Sequence, residues 1–470
     1  MTMETTITGD LERIDGAVLH PGDAGWDEAV LVWNGMVDKT PELVVQPEST
    51  RDVVAAVAFA RDHGILLGVK GGGHNIAGTA IPDGGLMIDM SRKRDVTVDA
   101  DAKLAHVEAG CLLQDVDRAT QEHGLATVLG FISEVGVGGL TLGGGLGYLT
   151  RRFGWTVDNL EEVELVTADG EVRTANHEEH SDLFWAVRGG GGNFGVVTRF
   201  TFRLHDVGPI VFGGLIAWPF DRADDVLTAY RRLTAEAPRE LSAWLVLMRA
   251  PAEDFVPAEY HGKRCCVIAV CYSGDPDAKD AAIAPIREIG DPAVDLLQEW
   301  PYTMQQSFLD GSEPKGIHAY WKTEYLAELP EDLLPILRDL GADCPIHDAQ
   351  IGLLHLGGAL NERAWDDGAV GNRDARFAIG VNGLWEQGEP DADAFRHWIR
   401  AGWERIRPFA TGGNYVNFQT DDDDQVPADA YGKNYERLQR IKAKYDPDNL
   451  FRVNRNIPPR GQRARNVRAT

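Results

Sequence analysis

The sequence predicts an α+β protein of two or three domains. Its 470 residues exceed the ~100–200 residues typical of one domain. Between Glu42 and about Arg203, short β-branched runs alternate with helical patterns and dense glycine clusters. From about Asp206 to Ala401 the glycine clusters thin out, and tryptophans and alternating apolar runs take their place. A glycine-bearing segment follows Pro408, and we expect it to rejoin the first domain.

The first region opens with a strand, a helix and a second strand. Leu43 to Val45 is an apolar, β-branched run, and Ser49 is a residue type favoured as a helix N-cap. The helix that Ser49 begins is expected to end at Gly64, because glycine tolerates the left-handed backbone of a helix end. A second strand is predicted at Ile65 to Val69.

The middle region predicts a separate α+β domain. Its alternating apolar runs, at Arg264 to Tyr272 and Ile351 to Leu356, are typical of strands with one buried face, and helical stretches lie between them. After this region, a helix is predicted around Tyr431 to Lys444.

Charge and composition exclude several classes of function. The formal charge is 46 − 73 = −27, which repels phosphate polymers and anionic lipid, so no nucleic-acid or membrane partner is expected. Met1 to Ile14 lacks the apolar core of a secretion signal, and we expect a cytoplasmic protein. The five cysteines lack metal-ligand spacing, and the acid run Asp421 to Asp424 lacks the turn glycine of a calcium loop, so no metal site is predicted.

Two glycine clusters predict close contact with a ligand. Gly71-Gly72-Gly73-His74 follows a strand, where consecutive residues without Cβ let backbone N–H groups converge on an anion such as pyrophosphate. The second cluster has seven glycines in the twelve residues from Gly136 to Gly147. Neither a helix nor a strand needs that composition, so this segment either wraps a ligand or threads between elements.

A third cluster contains the Gly-x-Gly-x-x-Gly pattern of dinucleotide-binding proteins, from Gly190 to Gly195. That fingerprint requires a strand before it and a helix after it. Here Asp182 to Val187 is predicted to be a helix and Val196 to Leu204 a strand, so the order of elements argues against NAD.

Together these clusters identify a resemblance that covers nearly the whole chain. The sequence resembles the berberine bridge enzyme-like group of FAD-linked oxidases, within the vanillyl-alcohol oxidase and para-cresol methylhydroxylase superfamily. The resemblance is carried by Pro47, Gly71 to His74, Gly136 to Gly147, Asp158-Asn159, Tyr415-Val416-Asn417 and the segment from Tyr445-Asp446-Pro447 to Asn456.

The resemblance implies a two-lobed FAD-binding domain formed by both chain ends, with an inserted substrate domain whose antiparallel sheet covers the isoalloxazine ring. We expect the FAD-binding domain at residues 1–207 and 409–470 and the substrate-binding domain at 208–408. The implied cofactor-binding residues are Lys70, Gly71, Gly72, Gly73, His74, Asn75, Val135, Gly136, Gly138, Gly139, Thr141, Val196, Val197, Tyr415, Asn417, Asn454 and Asn456.

The resemblance also implies covalent FAD. In this family the histidine that matches His74 bonds to the flavin, and many relatives add a bond from a cysteine at the position of Ile132. Because Ile132 cannot form that bond, we predict one covalent link, through His74. Val135 matches the position that controls oxygen access, where valine goes with oxidase behaviour.

Oxidation of an alcohol or amine carbon needs a hydride acceptor and a base for the O–H or N–H proton. We predict Tyr415, beside Asn417, as the base, if a nearby cation or the flavin's polar edge lowers its pKa from about 10. Tyr320 and Lys322 are candidates for a second phenol and the cation, although packing bulk and a solvated lysine are the plainer interpretation. For His355 and Trp385 there are also two interpretations, a position facing the flavin and a packing role.

The leading hypothesis is an FAD-dependent oxidase that takes a hydride from an alcohol, sugar hydroxyl or amine carbon of a small organic molecule, with oxygen as acceptor and hydrogen peroxide as product. An oxidative cyclase or oxygenating enzyme of the same family is an alternative. An NAD-dependent reductase and a flavin-binding protein without turnover are the other hypotheses. The oligomeric state is not readable from the sequence.

Overall fold

A computed structural model describes residues 11–420 and 427–461. The acid run Asp421 to Asp424 lies outside these residues. The strands, numbered in chain order, are β1 (Ala17–Leu19), β2 (Leu43–Gln46), β3 (Leu67–Lys70), β4 (Leu86–Asp89), β5 (Val96–Asp99), β6 (Leu104–Glu108), β7 (Leu125–Ala126), β8 (Leu160–Val166), β9 (Val172–Asn176), β10 (Val196–Arg203), β11 (His205–Asp206), β12 (Ile210–Pro219), β13 (Leu241–Arg249), β14 (Arg264–Tyr272), β15 (Val294–Asp295), β16 (Gln298–Pro301), β17 (His318–Leu326), β18 (Asp348–His355) and β19 (Phe377–Trp385).

The α-helices lie between these strands and after them. They are α1 (Trp26–Val30), α2 (Thr50–His63), α3 (Leu113–Gln121), α4 (Val137–Leu142), α5 (Thr150–Phe153), α6 (Ser181–Val187), α7 (Ala223–Glu236), α8 (Lys279–Arg287), α9 (Tyr302–Ser307), α10 (Leu333–Asp343), α11 (Ala392–Ile406), α12 (Pro427–Tyr431) and α13 (Tyr435–Tyr445).

The first part of the chain forms two sheets. A four-stranded sheet has the order β1-β2-β4-β3, in which β2 and β3 both pair with β4 in parallel. An antiparallel five-stranded sheet has the order β5-β6-β10-β8-β9. Their shared core includes residues from β2 through β10 and from the C-terminal helix α13, so the end of the chain packs back onto its beginning.

Helix α2 connects β2 to β3, the strand that leads into the first glycine cluster, and local sequence determines where this helix begins and ends. The Ser49 side chain accepts the N–H of Asp52, while the Asp52 carboxylate accepts the Ser49 N–H, which is a capping box. The helix ends at Gly64, whose φ of 67° is the left-handed conformation that favours glycine. β3 then leads directly into Gly71. The predicted strand–helix–strand order of this region is confirmed.

The middle part of the chain forms an antiparallel sheet with the order β15-β12-β14-β13-β18-β19-β17, to which β16 adds on β12. One face packs against α7, α10 and α11, and their apolar side chains build a second core. Alternate residues along the strands point to the opposite face, where they line a cavity.

The predicted α+β class is confirmed by these mixed sheets and helices. The domain boundaries at 207/208 and 408/409 stay a prediction, which the two separate cores support. None of the helices in the described part of the chain combines the length and the apolar character that crossing a membrane would require. Residues 11–420 and 427–461 also contain no group of three or more His, Cys, Asp or Glu side chains arranged to hold a metal ion.

Candidate active site

Two glycine segments cross at the centre of the molecule. Gly72, just after β3, touches Gly136, just before α4, through backbone atoms alone. A Cβ on Gly72 would collide with the backbone nitrogen of Gly136, and a Cβ on Gly136 would collide with that of Gly72. The crossing therefore requires glycine on both sides, because backbone atoms cannot move aside as a flexible side chain can.

The crossing forms part of the wall of an elongated cavity, the cofactor cavity. It contains residues from all three glycine clusters and from the C-terminal segment. The predicted site residues on its wall are Gly71, Gly72, Gly73, His74, Asn75, Val135, Gly136, Gly138, Gly139, Val196, Val197, Tyr415, Asn417 and Asn454. The structure thus brings together segments that are up to about 380 residues apart in the chain.

His74 presents an uncharged imidazole to the cofactor cavity. Its Nε2 atom is buried and has no hydrogen-bond partner among the described residues. Burial, and to a smaller degree the nearby positive charge of Lys315, lowers the pKa of His74 to about 4. The indole of Trp33 stacks against the imidazole, with ring centroids 6.0 Å apart and planes 15° apart.

Tyr415 and Asn417 meet on the same cavity wall. The Tyr415 hydroxyl oxygen accepts the backbone N–H of Gly145 at 3.2 Å and the side-chain N–H of Asn417 at 3.0 Å. Burial nevertheless raises the pKa of Tyr415 above its ordinary value. The lowered pKa that was expected for a base is therefore not produced by the described side chains, and the phenol acts here as a hydrogen-bond acceptor with its own proton still bound.

A second cavity of about 680 Å³ adjoins the first, and we call it the substrate cavity. Its main wall is the helix-free face of the large sheet, where lining residues alternate along each strand. They include Leu215, Ala217, Val246, Met248, Val267, Ala269, Trp321, Thr323, Gly352, Leu354, Ala378, Gly380, Asn382 and Leu384. This wall is mostly apolar, although the buried oxygens of Thr323 (Oγ1) and Asn382 (Oδ1) have no partner among the described residues.

Five residues line both cavities and form the junction between them: Phe131, Ile132, Glu313, Trp321 and Phe418. The aromatic rings at and beside the junction form a continuous row. The ring centroids of Trp33 and Trp321 are 5.5 Å apart, with the rings edge-on. The ring centroid of Phe418 lies 5.3 Å from that of Trp321 and 4.8 Å from that of Tyr415. An aromatic wall therefore runs from His74 to Tyr415.

Glu313 is the one titratable residue of the junction, and sequence reasoning missed it. It lies in the loop between α9 and β17, and its backbone carbonyl accepts the indole N–H of Trp33 at 3.0 Å. Burial of its carboxyl group raises the pKa of Glu313 to about 7, although the residue as a whole is only half-buried. The run Gly-Ser-Glu-Pro-Lys-Gly resembles an exposed turn, so nothing in it indicates a buried carboxylate.

Lys70 does not reach the cofactor cavity, contrary to its predicted role in cofactor binding. Its amino group donates to the carbonyl oxygen of Ala29 and lies 3.4 Å from the Asp89 carboxylate. Lys70 is the last residue of β3, and its side chain points into the protein beside β4, away from the cavity that the following glycines line. Thr141 and Asn456 also do not line the cavity. Their buried side-chain oxygens have no partner among the described residues.

Tyr320 and Lys322 do not reach either cavity, so the prediction of a second phenol and a cation from these residues does not agree with the structure. On β17, Trp321 and Thr323 point to the cavities, and the residues that alternate with them point to the helices. The Lys322 amino group lies 5.1 Å from the ring centroid of Trp403 in α11. His355 and Trp385 also face the helix side.

The third glycine cluster also belongs to the cofactor cavity, although its dinucleotide pattern is not set in a Rossmann unit. Gly191, Gly192 and Gly195 line the wall, and the Asn454 side chain donates to the Gly192 carbonyl at 3.0 Å. Helix α6 precedes the cluster and strand β10 follows it, as the sequence predicted. The context that the NAD fingerprint requires is therefore absent here.

The residues of the cofactor cavity fit FAD. Closely packed glycines leave backbone N–H groups and open space where a long cofactor needs to lie. Polar atoms along the wall, His74 Nε2, Tyr431 Oη and Asn454 Oδ1, are buried and have no partner among the described residues. Such atoms are costly unless a ligand pairs with them. None of the cysteines lines this cavity, and Ile132 lies at its junction with the substrate cavity.

Two family models match the chain at the segments that form the cofactor cavity. An FAD binding domain matches residues 41–176, and a berberine and berberine-like segment matches residues 414–458. The first match contains His74 and Gly136, and the second contains Tyr415 and Asn454.

Known proteins are similar over nearly the whole length. An FAD-linked oxidoreductase of Dictyostelium discoideum is 32% identical over 453 residues, which cover 95% of this chain and 96% of the relative. The (R)-6-hydroxynicotine oxidase of Paenarthrobacter nicotinovorans is 30% identical, with 95% and 98% covered. The crystal structure of 6-hydroxy-D-nicotine oxidase from Arthrobacter nicotinovorans superposes with a TM-score of 0.84 at 26% identity, with 94% and 98% covered.

Proposed function

Because the chain belongs to the berberine bridge enzyme-like family of FAD-linked oxidoreductases, we propose that it is an oxidase of a small organic molecule. Its substrate carries a hydroxyl or amine on the carbon that is oxidised, and molecular oxygen is the final acceptor. The observation that carries this proposal is the junction of two cavities, one walled by glycine backbone and one by a sheet face, with His74 and Tyr415 beside it.

When bound, FAD supplies a two-electron acceptor that takes a hydride from carbon and passes the electrons to oxygen, which gives hydrogen peroxide. The residues of this chain bind and orient the reactants. Backbone N–H groups of the segment 71–73 hold the pyrophosphate, and the crossing at Gly136 fixes that segment. The apolar sheet face excludes water from the substrate, since its polar groups are few.

His74 is the proposed attachment point of the cofactor. A neutral imidazole keeps a lone pair on one ring nitrogen, and the pKa of about 4 keeps His74 neutral at physiological pH. Trp33 fixes the ring plane by stacking. One covalent link is proposed, because Ile132 lies where a second link would need a cysteine. Val135, on the same wall, is proposed to leave a path for oxygen.

Tyr415 is the proposed contact for the O–H or N–H proton of the substrate. Two N–H donors favour its ionised form, but burial outweighs them and raises the pKa. A role as base therefore requires that the bound substrate and cofactor lower this raised pKa. Asn417 holds the Tyr415 hydroxyl in place and is proposed to orient it.

The test is the absorbance spectrum of the purified protein before and after acid precipitation. We expect a yellow protein whose colour stays in the redissolved pellet, because covalent flavin survives unfolding. The His74→Ala variant should release its flavin to the supernatant, and its fold is expected to remain, since the ring contact that the change removes is the stacking with Trp33 at the cavity wall. Flavin that stays in the pellet of this variant would contradict attachment through His74.

Turnover is tested by screening alcohols, sugars and amines, including 6-hydroxynicotine, for peroxide release. We expect peroxide in proportion to the substrate consumed. Flavin that no candidate reduces would favour a binding protein without turnover, and a colourless folded protein would contradict the cofactor itself.

A further inference from the structure

Glu313 gives the substrate cavity a single negative charge at the point where it meets the cofactor cavity. Of the five residues shared by the two cavities, the other four are apolar or aromatic. We propose that this site binds a protonated amine carried on an apolar body of aromatic size, with the Glu313 carboxylate as its counter-ion. The inference rests on the proposed function only in taking the neighbouring cavity to be that of the flavin.

The position of Glu313 is fixed by its loop. The indole N–H of Trp33 donates to the Glu313 carbonyl at 3.0 Å. Three residues earlier, the Asp310 carboxylate accepts the backbone N–H of Ser133 at 2.7 Å and its hydroxyl at 2.6 Å. These contacts tie the loop to both sides of the junction, so the backbone that carries the Glu313 side chain is fixed before a ligand arrives.

No cation of the described protein neutralises Glu313. The nearest lysine along the loop, Lys315, is half-exposed and lies 3.3 Å from the Glu134 carboxylate. His74, on the adjoining wall, is uncharged because burial lowers its pKa to about 4. A carboxylate in an enclosed site without a cation is costly, and a ligand cation would remove that cost.

The surrounding rings suit a cation as well. Trp33, Trp321, Phe418 and Phe131 lie at or beside the junction, and aromatic faces attract ammonium groups through their quadrupole. The Trp321 Nε1 atom is buried and has no hydrogen-bond partner among the described residues. A carboxylate that accepts the N–H groups of an ammonium ion, together with aromatic faces that attract its positive charge, is a combination suited to an alkylated ammonium group.

The rest of the substrate cavity selects an apolar body. The alternating sheet residues that form its main wall are chiefly aliphatic. Of the charged side chains that line it, Glu253, Lys263, Asp348 and Glu386 are exposed and therefore lie on the solvent side. Arg249 and Arg264 are half-buried, and their guanidinium groups donate to the carbonyl oxygens of Gly262 and Cys344. A sugar would need many polar partners along its length, which this wall does not offer. The net charge of −27 attracts cations at long range.

Protonation of Glu313 should control the binding of the amine. Because its pKa is raised to about 7, the carboxyl is ionised above neutral pH and becomes neutral as the pH falls through 7. The charged and titratable groups of the adjoining segments are Asp310, Lys315, Glu134, His74 and Tyr415, and none of them forms an ion pair with Glu313. Affinity for the amine should therefore fall between pH 8 and pH 6.

The experiment compares two probes of the same shape, 4-phenylbutylamine and 4-phenylbutan-1-ol, by isothermal titration calorimetry on the purified flavoprotein at pH 8. We expect the amine to bind at least about tenfold more tightly than the alcohol, from the ion pair and the aromatic wall together. Glu313→Gln should remove this preference, with alcohol affinity unchanged within about twofold. At pH 6 the preference of the unmodified protein should also shrink.

Glu328→Gln is the matched control, because Glu328 is exposed just after β17 and lines neither cavity. Flavin content and Tm of both variants should equal those of the unmodified protein, which shows that the fold is intact. Equal binding of the two probes, absence of amine binding, or a preference that survives in Glu313→Gln would overturn the proposal.

Calorimetry separates this proposal from the proposed oxidase function, because binding is measured without turnover. If the amine binds through Glu313 but no amine reduces the flavin, the oxidase proposal fails and the amine site stands. If a neutral alcohol or sugar reduces the flavin and the amine does not bind, the amine site fails and the oxidase proposal stands.

Discussion

The two cavities of this protein are built in opposite ways. The cofactor cavity is walled in large part by runs of consecutive residues, such as Gly71 to Gly73, which offer only backbone atoms to it. The substrate cavity is walled by every second residue of strands that are far apart in the chain, such as Thr323 on β17 and Asn382 on β19. The residues of the first wall are neighbours in the sequence, whereas the residues of the second wall become neighbours only through the pairing of the strands.

This difference determines how each cavity responds to substitution. Where the glycine wall crosses itself, Gly72 and Gly136 leave no room for a Cβ, so a single methyl group disturbs it. A sheet wall presents side chains to open space, so a substitution there changes the shape and polarity of the cavity without moving the backbone. We therefore expect large effects at the cofactor cavity and smaller, more selective ones at the substrate cavity.

The largest effect is expected for Gly136→Ala, which tests whether the glycine wall of the cofactor cavity is too tightly packed to accept a side chain. The added Cβ would collide with the backbone nitrogen of Gly72, and overpacking of this kind costs about 1–3 kcal/mol. We expect a Tm lower by several degrees and a flavin-to-protein absorbance ratio reduced several-fold.

Gly371→Ala is the control for this substitution, because no heavy atom lies within 4 Å of the Cβ it would add and its φ is not positive. Its flavin content and Tm should match those of the unmodified protein. A Gly136→Ala protein with normal Tm and full flavin would show that the crossing of the two segments is not tight.

The same difference explains what the sequence could predict. The N-cap at Ser49 and the helix before Gly190 depend on neighbours in the chain, so both elements were predicted correctly. The glycine clusters line one cavity, and their contact with the cofactor stays a prediction. Lys70 was assigned to the cavity from its place in a motif, but its side chain pairs with Asp89 on an adjacent strand. That pairing depends on tertiary structure.

The substrate side was less predictable, because the alternation along a strand does not show which of its two faces lines the cavity and which packs against the helices. Tyr320 and Lys322 had the right residue types for the chemistry but lie on the helix side of β17, one position away from the cavity face. Glu313 comes from a loop that packs against Trp33, about 280 residues earlier in the chain. No local pattern predicts that contact.

Tyr415 lines the cofactor cavity beside its junction with the substrate cavity, and Tyr415→Phe should give an effect of intermediate size. The substitution removes the hydroxyl while keeping the ring that stacks 6.1 Å from Trp155. If Tyr415 takes the substrate proton, flavin reduction measured by stopped flow should slow by about 100-fold or more, with flavin content unchanged.

Tyr272→Phe is the matched control, since this buried tyrosine lines neither cavity. Its reduction rate should equal that of the unmodified protein. A decrease of less than about tenfold in Tyr415→Phe is the size expected for one lost hydrogen bond, and it would assign the proton to another group.

The smallest and most selective effect is expected for Thr323→Val on the sheet wall. The Thr323 hydroxyl is buried beside the substrate cavity and has no partner among the described residues. A substrate that pairs with it would lose one neutral hydrogen bond, so KM should rise about two- to tenfold. Covalent flavin and the reduction rate at saturation should not change, because the backbone of β17 stays in place.

Ser242→Ala is the control, because it removes another buried hydroxyl that has no partner among the described residues but lies outside both cavities. It should leave KM unchanged. An equal rise in KM for both variants would mean that the effect comes from the sheet as a whole, and the contrast between a rigid backbone wall and a tunable side-chain wall would then fail.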